Sequence, residues 1–310
     1  MKIALCAIGR YENAYAVEFV DYYKNLGFDK IFIYDNNYGD EEHFEEVLGS
    51  YIDEGFVEVV DWRDKFNTQK QSYEDCYAKH NKEYDWIAFY DFDEFLVINE
   101  GIDIHQFMKR AEGYDCMLIN WMVMDDNDLV RYENKPMMER FTRPMPLNQC
   151  VTYTFAENNH VKSIVRGGIP NFQFRNSHRP QTPMRCCNAK GEPCRQKTFI
   201  PYDQSVAYLK HFTTKTIEEW LYNKVVRGYP DWCTDELHRS AIHKFFQRNI
   251  RTKEKEDFIK KWIEGGSVAA MALGRMGNHY SSGSARGRLY SSSCRSLRNL
   301  LSILVSLTRI

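Results

Sequence analysis

The chain has 310 residues, enough for one large α/β domain with or without appendages, and its 43% hydrophobic content supplies a sizeable core. A formal net charge of −2 and a pI near 6.5 leave no basic field to draw in nucleic acid. No run of 18 apolar residues occurs, so no membrane-spanning helix is expected. The nine scattered cysteines point to free thiols in a reducing, cytoplasmic compartment.

Residues 2–8 (KIALCAI) read as a strand and 12–26 as a helix closed by Gly27. The apolar stretch at the N-terminus is too short for a signal peptide, with Arg10 and Glu12 following at once. Residues 30–34 (KIFIY) form a second predicted strand, ending on Asp35-Asn36-Asn37. A helix over 41–54, a strand over 56–62, a helix over 69–83 and a strand over 86–90 follow. Strands separated by helical stretches of this length predict a doubly wound, mostly parallel α/β sheet. Next come a helix over 104–112 and a strand over 115–124 (DCMLINWMVM). Residues 127–205 hold most of the prolines, with short strand candidates at 138–143 and 161–165. Cys186, Cys187 and Cys194 cluster there near His178, but adjacent cysteines rarely both ligate one zinc and no C-x-x-C pair is present. A helix over 216–227 opens on a capping box, Thr216 with Glu219, and 235–264 carry one or two more helices.

From 266 to 310 the composition changes sharply, to six arginines with no lysine and no acid. Three readings stay open for this tail. Residues 294–310 form a basic amphipathic helix lying on the inner face of an anionic membrane, the segment is a disordered basic tail, or it is out-of-frame translation.

Residues 85–96, DWIAFYDFDEFL, carry the strongest chemical signal. An apolar run over 86–90 stops abruptly on Asp91, Asp93 and Glu94, as a strand buried on both faces of a parallel sheet would. Ligands of open α/β sheets bind beyond the carboxyl ends of the strands. Side chains two apart on an extended segment point the same way, so Asp91 and Asp93 are expected to aim together. Two hard anionic donors at that spacing suit Mn²⁺ or Mg²⁺, which in turn holds a diphosphate.

The stretch CAIGRYENAYAVEFVDYYKNLGFDKIFIYDNN, then DWIAFYDFDEFL, then KSIVR at 162–166, then LKHFTTKTIEEWLYNKVVRG, resembles glycosyltransferase family 92 and its bacterial family-2-like relatives. The likeness spans roughly residues 1–230, departing where Gly167-Gly168 replaces an expected proline. It implies a GT-A-like fold with a C-terminal helical segment. Residues 1–126 would be the nucleotide-sugar-binding half, 127–265 the acceptor-side and C-terminal part of the same domain, and 266–310 the atypical tail. It also implies a UDP-sugar donor and a glycan or lipid-linked glycan acceptor, with inversion at the transferred carbon. Asp93 would ligate the metal, with Asp91 on the metal or the ribose. Ala7, Ile8, Gly9, Arg10 and Glu12 would border the nucleoside, with Asp35 and Asn36 closing over it. His211 and Lys215 would lie near the diphosphate, His211 as a third metal ligand with His178 as its competitor, and Lys162 and Arg166 are further candidates for the phosphates.

An inverting transfer needs a base for the acceptor hydroxyl. Asp125 and Asp126, after the strand over 115–124, are candidates, and Glu94 is their rival. Two other functions are weighed against this one. A sugar-phosphate nucleotidyltransferase would want a Gly-rich loop after the first strand, and AIGRYEN has one glycine. A non-catalytic carbohydrate- or protein-binding module would have no need of both aspartates.

Overall fold

The computed structural model describes residues 1–66, 68–146, 151–152, 155–223, 245–246 and 248–264. They divide into two units, one of residues 1–124 with 135–213, the other of 125–134 with the chain from 214 on. The tail expected at 266–310, its membrane-facing segment 294–310 and the end of the helix expected to reach 227 lie outside the described residues. Among the described residues no helix is long and apolar enough to cross a membrane.

The first unit opens as the hydrophobic pattern predicts. Strand β1 (Ile3–Gly9) is apolar throughout, and β2 (Lys30–Asp35), β3 (Val57–Asp61) and β4 (Trp86–Phe89) follow it, linked by α1 (Asn13–Asn25), α2 (Glu45–Asp53) and α3 (Gln69–His80). Helix α1 buries Tyr15, Ala16, Phe19, Val20 and Tyr23, one stripe at helical spacing. It ends where expected, with Gly27 at φ +95° and the Phe28 amide returning to the Tyr23 carbonyl at 3.1 Å. Both β2 and β4 run parallel to β1, and β3 runs parallel to β2. The carboxyl ends of all four strands therefore share one edge of the sheet.

Beyond β4 the chain turns back. Strand β5 (Glu94–Ile98), which the sequence pattern does not announce, follows almost at once, then α4 (Ile104–Met108) and β6 (Cys116–Val123). The strand candidate over 138–143 is corrected: Met137–Arg140 forms one helical turn, α5. Its cause is tertiary, since the Glu18 carboxylate accepts the Met137 and Met138 amides at 2.7 and 3.0 Å, holding a helical N-terminus after Pro136. Two short hairpins, β7 (Val151–Thr152) with β8 (Phe155–Ala156) and β10 (Phe174–Asn176) with β11 (Arg179–Pro180), flank β9 (Val161–Arg166). Strands β12 (Cys186–Cys187), β13 (Pro193–Cys194) and β14 (Ala207–His211) complete the unit.

The main sheet runs in the order β13-β12-β6-β9-β4-β1-β2-β3, with β14 pairing β6 and β5. Strand β9 is antiparallel to both β4 and β6, so β6 is again parallel to the first four strands. The doubly wound, mostly parallel α/β sheet expected from the sequence is the one formed. Gly167, where a proline was expected, closes against the end of α3: a Cβ there would lie 2.2 Å from the Tyr84 carbonyl oxygen.

In the second unit, α6 (Ile217–Leu221) begins on Thr216, whose hydroxyl and the Glu219 carboxylate form the expected capping box. Helix α7 (Lys253–Glu264) buries Lys255, Phe258, Ile259 and Trp262, spaced three, one and three apart on one face.

Candidate functional site

Strand β4 is buried on every residue, and the chain leaves the sheet at Tyr90, also fully buried. The acidic run that follows is a tight turn, because the Glu94 amide donates to the Asp91 carbonyl at 3.0 Å. The Asp91 amide donates in return to the Glu94 carboxylate at 2.9 Å. Between the two aspartates, Phe92 packs into the core, 4.7 Å from the Phe19 ring and stacked 5.2 Å from Phe44. Burying that ring contributes about 2–3 kcal/mol. It pins the turn and leaves the aspartate side chains at the surface, 31% and 24% exposed. Gly9, at the end of β1, permits the wedge: a Cβ there would lie 2.6 Å from Phe44 and 2.7 Å from Phe92.

Residues 92–93 turn rather than extend, and the two carboxylates have different nearest partners. The Asp91 carboxylate accepts from Lys162 Nζ at 2.8 Å, Gln69 Nε2 at 2.6 Å and the Tyr73 hydroxyl at 3.0 Å. Asp93 faces His211 instead, Oδ1 to Nε2 at 3.7 Å.

Lys162 is fully buried and lies 3.5 Å from Glu94 as well, which is also fully buried. Burial would lower the ammonium, but Asp91 and Glu94 outweigh it and hold it above its ordinary value. Glu94 is pushed well up by burial, against the opposing pull of Lys162, and its Oε1 has no hydrogen-bond partner. One cation thus serves two carboxylates, and Glu94 holds a proton more readily than an ordinary glutamate.

His211 ends β14, whose pairing with β5 sets it opposite Glu94. Burial takes its imidazole down to about 4, so the ring is neutral near pH 7. Its Nδ1 is buried and unpartnered. A neutral imidazole beside a carboxylate is a donor pair of the type Mn²⁺ accepts. A ready-made cage is not present: among the described residues the only three-donor group within 4.8 Å is Asp35, His43 and Glu45, and Asp91, Asp93 and His211 do not form one. Asp93 and His211 therefore fit a metal as two protein donors, with the remaining positions left to diphosphate oxygens and water.

On the β1–β2 side, Ala7 and Gly9 are buried and Ile8 is half-buried, so these residues offer backbone rather than side chains. The Arg10 guanidinium bonds the Asn36 carbonyl at 2.9 Å and its side-chain oxygen at 2.7 Å, and lies 4.1 Å from the centre of the Tyr38 ring. Asp35 accepts from Arg63 at 2.6 Å and from the Asn37 amides. Glu12 is buried at the start of α1. Arg10, Asp35 and Asn36 thus form one braced polar edge at the ends of β1 and β2.

Arg166 is placed elsewhere. Strand β9 runs antiparallel to β4, so Lys162 reaches the carboxyl edge while Arg166 pairs with Trp86 at the opposite end. Its guanidinium donates to the carbonyls of Tyr114 and Ala111 at 2.7 and 3.3 Å. Lys215, Asp125 and Asp126 belong to the second unit. Asp126 is 1% exposed and bound to the buried Lys255 at 2.5 Å. Asp125 is 7% exposed and accepts the Asn127 amide at 2.8 Å. Lys215 is buried at φ +53° immediately before the cap of α6.

Sequence reasoning passed over Gln69 and Tyr73. They lie four apart on α3, one face of its first turns, but nothing local ties that face to Asp91. His178, the rival to His211, stands against Trp121 with ring centroids 5.1 Å apart, and its Nδ1 meets the Val161 carbonyl at 3.2 Å.

Comparison with known proteins adds three findings. The model of glycosyltransferase family 92 matches residues 2–249. A family 92 glycosyltransferase of Ricinus communis is 27% identical over 115 residues, 36% of this chain and 20% of that protein, so the match spans about a fifth of that relative's length. Among solved structures, S. aureus TarS residues 1–349 with UDP-GlcNAc aligns with a TM-score of 0.39 at 10% identity, covering 87% of this chain and 74% of that one. The same protein with UDP aligns at 0.36 and 10%, covering 97% and 81%.

Proposed function

The chain belongs to glycosyltransferase family 92, and on that premise we propose that it transfers a sugar from a UDP-sugar to a glycan or lipid-linked glycan acceptor, with inversion and with Mn²⁺ or Mg²⁺. The observation that carries this reading is the pairing of Asp93 with a neutral His211 at the carboxyl edge of the sheet, 3.7 Å apart. Asp93 and His211 would hold the metal, which when bound supplies the positive charge that a departing nucleoside diphosphate needs.

The protein's own groups have separable tasks. Lys162, Gln69 and Tyr73 immobilise Asp91, so that its carboxylate enters the site preoriented and not free to collapse onto Asp93. Arg10 and Asp35 brace the loops after β1 and β2, leaving backbone N–H and C=O groups to meet a nucleoside. Of the three carboxylates considered as base, Asp126 is committed to Lys255 and Glu94 is sealed from solvent.

The test is release of UDP from UDP-glucose, UDP-galactose and UDP-GlcNAc, with and without Mn²⁺, by wild type and Asp93→Ala. Metal-dependent release from one donor, lost in the variant, is the expected result. No release and no UDP binding by calorimetry would overturn the reading in favour of a binding module.

A further inference from the structure

Neither the metal nor the diphosphate accounts for Arg63. It stands two residues beyond β3, its side chain 14% exposed, and its guanidinium reaches back across the loop that follows β2. Nη2 donates to the Asp35 carboxylate at 2.6 Å and to the Glu42 carbonyl, and Nη1 donates to the Gly39 carbonyl at 2.7 Å. Asp64, next in the chain, completes the grip. Its carboxylate accepts the Gly39 amide at 3.1 Å, and its own amide donates to the Asn37 carbonyl at 3.2 Å. Asp64 does so at φ +59°, a left-handed backbone that a non-glycine residue holds only where its surroundings impose it.

The other side of the same loop rests on the start of α1. Glu41 accepts from the Tyr11 hydroxyl, and Asn13 donates from its amide to the Glu42 carboxylate at 3.3 Å and from Nδ2 to the His43 carbonyl at 2.9 Å. Arg10 holds the first residues, at Asn36 and at the Tyr38 hydroxyl, 2.7 Å away. Residues 36–43 form no helix or strand, so these contacts fix their shape. Arg10 grips only the near part of the loop, whereas Arg63 ties the strand end at Asp35 to the far part at Gly39 and Glu42. A planar guanidinium holds such diverging acceptors at fixed angles, which the single nitrogen of a lysine does not.

We propose that Arg63 is a positioning residue for the nucleoside of the donor: it touches no substrate itself and sets the loop 36–43 against which base and ribose lie. The inference rests on the UDP-sugar reading above, which puts the nucleoside at the ends of β1 and β2. The metal and the diphosphate belong to other elements, because Asp93 lies in the turn after β4 and His211 ends β14. Loss of the fork therefore weakens binding of the nucleoside and spares that of the diphosphate.

Calorimetry in Mn²⁺ with UDP and with inorganic pyrophosphate, on wild type, Arg63→Lys and Arg63→Met, tests this beside the melting temperature of each. Arg63→Lys keeps a cation for Asp35 and loses the fork. Its melting temperature stays near the wild-type value, it binds pyrophosphate as wild type does, and it binds UDP about tenfold more weakly, the loss expected for one hydrogen bond from a charged donor. Arg63→Met, without the cation, weakens UDP at least as much and lowers the melting temperature too. A merely structural arginine gives another pattern: Arg63→Lys restores UDP affinity together with stability, or UDP and pyrophosphate weaken in step. Either result overturns the positioning role, as does equal UDP affinity in all three proteins, and each leaves the nucleotide-sugar reading standing where wild type binds UDP. Failure of wild type to bind UDP overturns that reading and the positioning role with it.

Discussion

Lys162→Met is the substitution that most directly probes how the acidic turn is held. Methionine has nearly the volume of lysine, so the change leaves no cavity and isolates the charge. The ammonium it removes is fully buried, 2.8 Å from Asp91 and 3.5 Å from Glu94. Breaking a buried pair by deleting one partner costs about 3–5 kcal/mol. The lower end applies here, since Asp91 is 31% exposed and keeps its bonds from Gln69 and Tyr73. Glu94 is the group that suffers, being sealed from water with one oxygen already unpartnered. A loss of about 3 kcal/mol lowers the melting temperature by about 6–12 °C for a unit of this size. The assay is urea and thermal unfolding at pH 7 of wild type, Lys162→Met, Glu94→Gln and the double variant. Glu94→Gln alone costs less than Lys162→Met, because it removes a buried charge together with the ion pair that compensates it. The double variant recovers more than 1 kcal/mol of what Lys162→Met loses, a coupling that distant, independent sites do not show. A wild-type melting temperature for Lys162→Met, or strict additivity in the cycle, would refute the reasoning that one buried cation serves both carboxylates.

Gly9→Ala places a Cβ within 2.7 Å of both Phe44 and Phe92. It is expected to destabilise by about 1–3 kcal/mol in thermal unfolding, with donor hydrolysis falling as the Asp91–Asp93 turn shifts. Glu42 is held up at about 7 by burial, with Glu12, Glu46 and Glu41 adding to it against the Asn13 amide. The folded carboxyl binds its proton more tightly than the unfolded one, so this group's contribution is full below about pH 4.5 and is lost as pH rises through about 7. Glu42→Gln removes that loss: its advantage over wild type in urea unfolding grows by about 1–2 kcal/mol between pH 5 and pH 8, and a constant difference would contradict the assignment.

Much of this molecule is legible along the chain, for reasons visible in particular residues. The runs at β1, β2 and β4 are apolar without alternation, which only a strand covered on both faces tolerates, and the helices between them carry single buried stripes. Parallel strands then force their carboxyl ends onto one edge, so Arg10, Asp35 and Asp91 could be grouped before any coordinates were known. Local chemistry also located the Thr216–Glu219 cap and the end of α1 at Gly27.

Strand direction and side-chain aim were decided only in three dimensions. Nothing in KSIVR says that β9 runs against its neighbours, yet that reversal carries Lys162 to a partner 71 residues away and sends Arg166 to the far end of the sheet. The same holds for His211, which meets Asp93 because β14 pairs with β5, a strand too short and too close to the turn to be read from its pattern. The buried Phe92 wedge, seated because Gly9 has no side chain, makes a turn of the segment that carries the two aspartates, where their spacing alone suggested an extended strand end. Periodicity reports which side chains of a strand share a face. It does not report which way the strand runs or what packs against its last residue, and those contacts between distant segments set the charges of this site.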